Sequence, residues 1–266
     1  SSTSPPTAPA GKVKGIDPPR ETFAWDRDTG VRTLVTRATA APGTGADSGF
    51  SIATDREGAW VLHGSGRPQA LVPGYTAPSP EHLGTVLVRL PVTPGLEPEL
   101  VTSAFGQPRK GPDAHSEYLG HSADLQQVAF ASLASDLLET PVRTTLAQIY
   151  IADRQRGRTH WLTRSAALPG APADTGMQHG SRVHIARNGR FAVFSHAAND
   201  LVLPVEDGTR TLDCYRIALD SGTVVRVSER SAGSPPASCD ALSDDGRFVL
   251  YTEVPQGSQG APAQVW

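Results

Sequence analysis

A chain of 266 residues, 38% of them hydrophobic, is long enough for one large domain or two small ones and can pack a core. A formal charge of -3 and a pI near 6.2 supply no basic stripe for nucleic acid, and no apolar run has the length of a membrane span or the form of a signal-peptide core. With 26 Gly and 23 Pro, almost no window keeps helical spacing, so the chain is expected to be all-β; the exception is Ala131 to Leu138, which can form a turn of helix.

Residues 1–20 are rich in Ser, Thr and Pro and read as a flexible tail or linker. In the next stretch, 21–37, residues 21–36 align without gaps on residues 213–228 far downstream: Phe23 falls on Tyr215, Asp28 on Asp220, Gly30 on Gly222 and Val35 on Val227. The chain therefore opens on the second half of a repeat. Residues 38–103 hold a whole unit of four strands, near Phe50–Thr54, Ala59–His63, Val86–Val92 and Glu97–Thr102, with Trp60 in the column of Phe191. Residues 104–164 hold another, in which Val128 to Leu138 falls on Ala192 to Val202 and the later strands are Gln148–Ala152 and Thr159–Thr163. In this unit Asp124-Leu125 stands where a turn is expected to carry Asn-Gly, so its first hairpin is expected to depart from the others.

Residues 165–229 are the clearest copy. A strand ends at Ala186, Asn188-Gly189 offers the positive φ of a two-residue hairpin, and Phe191 to Ser195 is apolar on both faces. Cys214 to Leu219, the turn Asp220-Ser221-Gly222 and the β-branched run Thr223 to Ser228 complete four antiparallel strands. In the turns Asp28 and Asp220 are expected to bond backbone amides two residues on. Residues 230–266 begin a further unit with Ser238–Ser243, Asp244-Asp245-Gly246 and Arg247–Thr252, and reach a third strand at Ala263 to Trp266. The strand-end markers Thr36, Thr102, Thr163 and Ser228 are spaced by 66, 61 and 65 residues.

Four-stranded sheets that are apolar on both faces need a neighbour on each side, and copies stacked around an axis satisfy that need. The repeat therefore predicts a β-propeller of about four blade equivalents. Residues 238–266 and 23–36 can close one shared blade, although both ends then offer a third strand; otherwise the chain is a sector completed by another segment or subunit. Asn188 to Ser195 with Ala198-Asn199-Asp200-Leu201-Val202, Asp220 to Ser228, and Asp244 to Tyr251 resemble the WD40-like (PD40) repeat of TolB-type propellers. That resemblance implies an extracytoplasmic (periplasmic, secreted or cell-surface) propeller, used as a binding platform or beside a serine peptidase.

Candidate chemistry is sparse. Gly120-His121-Ser122-Ala123-Asp124 approaches a nucleophile elbow but lacks its last Gly, and Ser122 aligns with Ser243 at a strand-to-strand turn. His115 and His179 share a column at the entry to a first strand, where imidazoles can converge on a channel and hold a transition metal; Ser48 and Pro236 interrupt the ring. Glu206, Asp207 and Asp213 offer hard oxygens around Gly208, as a calcium loop does. Two cysteines are too few for a disulfide framework; an even count permits one bridge, but Cys214 on a third strand and Cys239 on the next first strand are expected at different radial depths, which favours buried thiols. The leading expectation is a non-enzymatic module without a cofactor. Its loops Val72–Thr85, Glu139–Ala147 and Leu203–Leu212, all joining second to third strands, would face a protein partner. The alternatives are a metal-dependent enzyme or ligand site at the channel mouth using His115 and His179, and a structural subunit of an extracellular assembly.

Overall fold

The computed structural model describes residues 21–38, 49–79, 84–177, 181–204, 211–228, 235–253 and 264–265. A two-stranded ribbon comes first, β1 (Phe23–Trp25) with β2 (Arg32–Leu34). Sheet I is β3 (Phe50–Thr54), β4 (Trp60–Ser65), β5 (Val86–Pro91) and β6 (Glu99–Leu100), with one short helix, α1 (Pro68–Leu71), after its second strand. Sheet II is β7 (Ser116–His121), β8 (Gln127–Ser132), β9 (Gln148–Asp153) and β10 (Arg158–Trp161). Sheet III is β11 (Val183–Ile185), β12 (Phe191–His196), β13 (Asp213–Ala218) and β14 (Thr223–Arg226). Sheet IV is β15 (Ala237–Leu242), β16 (Val249–Glu253) and β17 (Gln264–Val265). All pairings within these sheets are antiparallel and in sequence order, the arrangement of propeller blades.

The core lies between sheets. In β8 and β9, Ala129, Ala131, Ile149 and Ile151 pack toward sheet III against Phe194, Tyr215 and Ile217. Val128, Phe130, Tyr150 and Ala152 point the other way, onto Leu62 and Leu87 of sheet I. Successive side chains of a strand alternate faces, so burial of both faces leaves the nearly unbroken apolar runs seen in the sequence. The ribbon packs Ala24 and Val35 on sheet I, and sheet IV packs Tyr251 and Val249 on Val193 and Cys214 of sheet III. First strands meet near the axis: β7 touches β11, β11 touches β15, and a Cβ at Gly120 would strike the carbonyl oxygen of Val183.

Two local devices recur in register. Between first and second strands, Gly58, Leu125, Gly189 and Gly246 each donate an amide hydrogen bond to the carbonyl three residues back, and all four have positive φ. The Asn188-Gly189 turn is thus a four-residue loop with only Gly189 at positive φ, 64°, rather than the expected two-residue hairpin. Nor does the second unit depart: Leu125 takes φ 53° and makes the same bond, its left-handed backbone offset by a fully buried side chain. The other device explains the strand-end markers. The hydroxyls of Thr36, Thr102, Thr163 and Ser228 accept the amides of Thr22, Leu87, Ile149 and Cys214 at 3.0, 2.9, 3.0 and 3.2 Å, latching each outer strand to its third-strand side.

Several expectations are corrected. Ala131 to Leu138 is not helical: β8 runs to Ser132, whose hydroxyl accepts the Ala134 amide, and Asp113 accepts the Ser135 amide at 2.7 Å. The two chain ends do not share a blade among the described residues, since β1 pairs with β2 and β15 to β17 form their own sheet. Cys214 and Cys239 form a disulfide, with Cα atoms 5.1 Å apart. The assumed difference in depth fails because β15 lies across both β12 and β13, bringing Cys239 over the face that carries Cys214. Asp28 pairs with Arg27 at 3.1 Å while Asp26 bonds the turn amides of Asp28 and Thr29. Asp220 forms ion pairs with Arg156 and Arg190 at 3.2 and 3.4 Å.

Candidate functional site

A groove of about 910 Å³ lies on the rim between sheets II and III. One wall is the outermost described strand of sheet III, β14, with the segment after it; the other is the linker leaving β10, residues Arg164 to Ala166 and Pro169. Its floor carries Trp161 and Leu201, and its rim carries Leu203 and Pro204, joined by a cis peptide bond. Leu203 and Val225 are exposed there. The linker is held by a reciprocal clasp, in which Asp174 accepts the Asn199 amide at 3.1 Å and Asp200 accepts the Asp174 amide at 3.0 Å. The backbone carbonyl of Asp200 also takes the Ala166 amide at 2.7 Å. Asn199-Asp200, read in the sequence as part of the repeat motif, therefore fixes one groove wall. Among the described residues, the charged side chains that line the groove are Arg164 and Arg226, and Arg226 is already engaged. An apolar trough with the Arg164 guanidinium and a strand edge can take an extended, apolar segment with an acidic residue.

A second concavity, about 520 Å³, lies where the first strands converge. It is lined by Glu117, Tyr118 and His121 of β7, by Arg182 and His184, and by Ala241 and Leu242 of β15. The Tyr118 hydroxyl and His121 Nδ1 are 2.5 Å apart. Burial raises the Tyr118 hydroxyl above its ordinary range, and lowers His121 and His184 below the histidine range. At His184 the Arg182 charge lowers it further, while Asp240 opposes. Both imidazoles are thereby kept neutral at neutral pH.

The residues singled out in the sequence behave differently. Ser122 donates to Asp124 Oδ1 at 2.6 Å and accepts the Gln127 amide at 2.9 Å, and Ser243 repeats both bonds with Asp245 and Phe248 at 2.7 and 2.9 Å. Ser122 is a turn lock, as its alignment with Ser243 indicates. His115 Nδ1 accepts the Thr85 amide at 3.0 Å, outside the lining of the axial cavity. His179, Glu206 and Asp207 lie outside the described residues. Asp213 is buried and accepts the latch hydroxyl of Ser228 at 3.0 Å, tying it to the strand rather than to a loop. Among the described residues, no three His, Cys, Asp or Glu side chains gather as a metal site. The histidines at the cavity are His121 and His184; in the sequence they were only neighbours of the chosen pair.

No family model and no curated protein matches the chain. Among solved structures it is similar to TolB from Acinetobacter baumannii, at 16% identity and a TM-score of 0.42, covering 92% of this chain and 48% of that one. It is also similar to a prolyl endopeptidase, at 11% identity and a TM-score of 0.45 over 83% of this chain and 29% of the other. A tricorn protease gives 11% identity and a TM-score of 0.45 over 91% of this chain and 20% of the other. The chain thus spans less than half the length of each. Its propeller architecture stands on the order and stacking of its own sheets.

Proposed function

We propose that the chain is a non-enzymatic propeller module that binds a protein partner in the groove between sheets II and III. The observation that carries this reading is the groove itself: exposed Leu203 and Val225 above a Trp161 and Leu201 floor, with Arg164 among its charged residues. The partner segment is extended, apolar and acidic, running along β14. An extracytoplasmic location agrees with the Cys214–Cys239 bridge, because such bonds persist in oxidising compartments. No helix among the described residues is long and apolar enough to cross a membrane.

The test is fluorescence anisotropy with two labelled extended peptides of equal apolar content, one acidic and one basic. The acidic peptide is expected to bind and to weaken about tenfold or more on Leu203→Asp, a change of roughly 1.4 kcal/mol. Binding of neither peptide, or equal binding of both that ignores Leu203→Asp, rejects the groove. The enzyme alternative is checked on the same preparation. Stoichiometric metal that disappears in His115→Ala and His179→Ala would favour a metal site at the channel mouth.

A further inference from the structure

The repeat separates residues that the fold needs from residues that it does not. The hydroxyl latches and the turn bonds recur from unit to unit, as structural devices must. The polar side chains where the first strands converge do not recur. Four residues before the turn residues Leu125, Gly189 and Gly246 stand His121, Ile185 and Leu242; five residues before them stand Gly120, His184 and Ala241. Each imidazole thus occupies a column that is apolar or small in the other two of these three sheets, and both line the same cavity of about 520 Å³. They meet there because Gly120 lets β7 approach β11, where a Cβ would strike the carbonyl oxygen of Val183. The cavity is built by β7, β11 and β15, which follow one another around the axis, and is separate from the groove between sheets II and III.

The groups around this cavity differ in how they are engaged. His121 Nδ1 is held by the Tyr118 hydroxyl at 2.5 Å, which fixes the ring and leaves Nε2 without a hydrogen bond among the described residues. The side chains of His184 and Arg182 likewise make no hydrogen bond to another described residue. Burial raises the Tyr118 hydroxyl and lowers His184, and at each the Arg182 charge acts next, so the guanidinium stands close to both. Asp240, which accepts the Thr252 hydroxyl, opposes it at His184. Glu117 is exposed and also lines the cavity, and its charge is not among those acting on Tyr118, His121 or His184. One cation therefore dominates, beside two imidazoles and the half-buried Ile185 and Leu242.

We propose that the cavity binds a small monocarboxylic acid, its carboxylate on the Arg182 guanidinium and the imidazoles of His121 and His184, and its apolar body on Ile185 and Leu242. A guanidinium matches a carboxylate through paired N–H bonds, and one guanidinium balances one negative charge. Tyr118, donating to Nδ1, places the His121 proton on Nε2, where it serves as a donor. Neutral imidazoles add donors without a second charge, so a phosphate dianion would be left partly uncompensated. A volume of about 520 Å³ lies in the range of small-ligand sites, which join apolar walls to a few polar groups.

The test is an NMR titration of the full chain with phenylacetate, its neutral amide and inorganic phosphate, following imidazole signals assigned with His121→Gln and His184→Gln. Phenylacetate is expected to move both signals and to saturate, with the amide and phosphate binding about tenfold more weakly or worse. Arg182→Gln is expected to weaken phenylacetate binding about tenfold or more. Arg182 is exposed, so the fold does not depend on it, and thermal unfolding of the variant verifies that. Equal binding of phenylacetate and its amide overturns the inference, because the apolar body alone would then be recognised. Tighter binding of phosphate overturns it in favour of an inorganic-anion site. It is also overturned when none of the three probes moves either imidazole signal, or when Arg182→Gln binds phenylacetate as wild type does.

Discussion

Sheets II and III meet through a broad apolar core, whereas sheets III and IV meet through a narrow one. At the first junction Ala129, Ile149 and Ile151 face Phe194, Tyr215 and Ile217, with the Phe194 and Tyr215 rings stacked at 5.8 Å. At the second, the buried residues among those described are Val193, Cys214 and Cys239, and the disulfide does what apolar area does elsewhere. The repeat demands a closed contact at both places. Apolar burial is contributed by many residues in small increments, while a cross-link acts in one place and needs only two. It follows that the two junctions answer to different conditions, one to acid and the other to reductant.

The largest expected effect is at the narrow junction. The bridge spans 25 residues, and the chain-entropy account gives about 3.5 kcal/mol for a loop of that length. Replacing Cys214 and Cys239 together by Ser, or reducing the bond, is expected to free sheet IV before anything else. Hydrogen exchange should lose protection in β15 and β16 while β8, β9, β12 and β13 keep theirs. Uniform loss of protection in all sheets would mean that the junctions are not separable and the comparison is wrong.

How much of this was readable in the sequence depends on how local its cause is. The markers Thr36, Thr102, Thr163 and Ser228 were legible because one hydrogen bond in each unit demands a hydroxyl at one position. The turn column was legible for the same reason, although Leu125 hid its left-handed backbone behind an unsuitable residue type. The disulfide was not legible, since it depends on how far β15 slides across β12 and β13, which no strand pattern encodes. The groove was hidden similarly. Its walls come from the end of one unit and the outer strand of the next, and only stacking joins them. Of the column read in the sequence, His115 bonds the Thr85 amide and His179 lies outside the described residues, while the described histidines that line the axial cavity are His121 and His184.

The broad junction carries the acid sensitivity. His196 is fully buried at the end of β12, with Nδ1 accepting the Ala198 amide at 3.1 Å and Nε2 without a hydrogen-bond partner among the described residues. Burial drives its pKa from 6.5 down to about 4, Asp174 opposing the shift. In the unfolded chain the imidazole takes up a proton below about 6.5, which the folded chain refuses until about 4. Stability from this group is therefore complete above pH 6.5 and falls as pH drops toward 4, by an amount approaching ~3 kcal/mol. Ser65 and Ser132 hold the same column and accept the amide two residues on, at 3.1 and 3.0 Å, without titrating. His196→Ser is expected to flatten the decline in chemical-denaturation midpoint between pH 6.5 and 4. A decline of the same size in the variant would remove His196 from the account.

The smallest expected effect tests whether the latch acts equally on both sides of the comparison. Thr163 closes sheet II through the Ile149 amide and adds a donated bond to Gln148 Oε1 at 2.9 Å. Ser228 closes sheet III through the Cys214 amide, next to the disulfide, and donates to buried Asp213 at 3.0 Å. Thr163→Val removes a neutral partner and is expected to cost about 1 kcal/mol in urea unfolding. Ser228→Ala strips a hydrogen bond from a buried carboxylate and is expected to cost more, about 2 kcal/mol. With the Cys214–Cys239 bond reduced, sheet IV no longer holds that end of β13, so the Ser228→Ala cost should grow while the Thr163→Val cost stays the same. Equal costs before and after reduction would show that latch and disulfide act on separate parts of the sheet, and the narrow junction would then end at the bond itself.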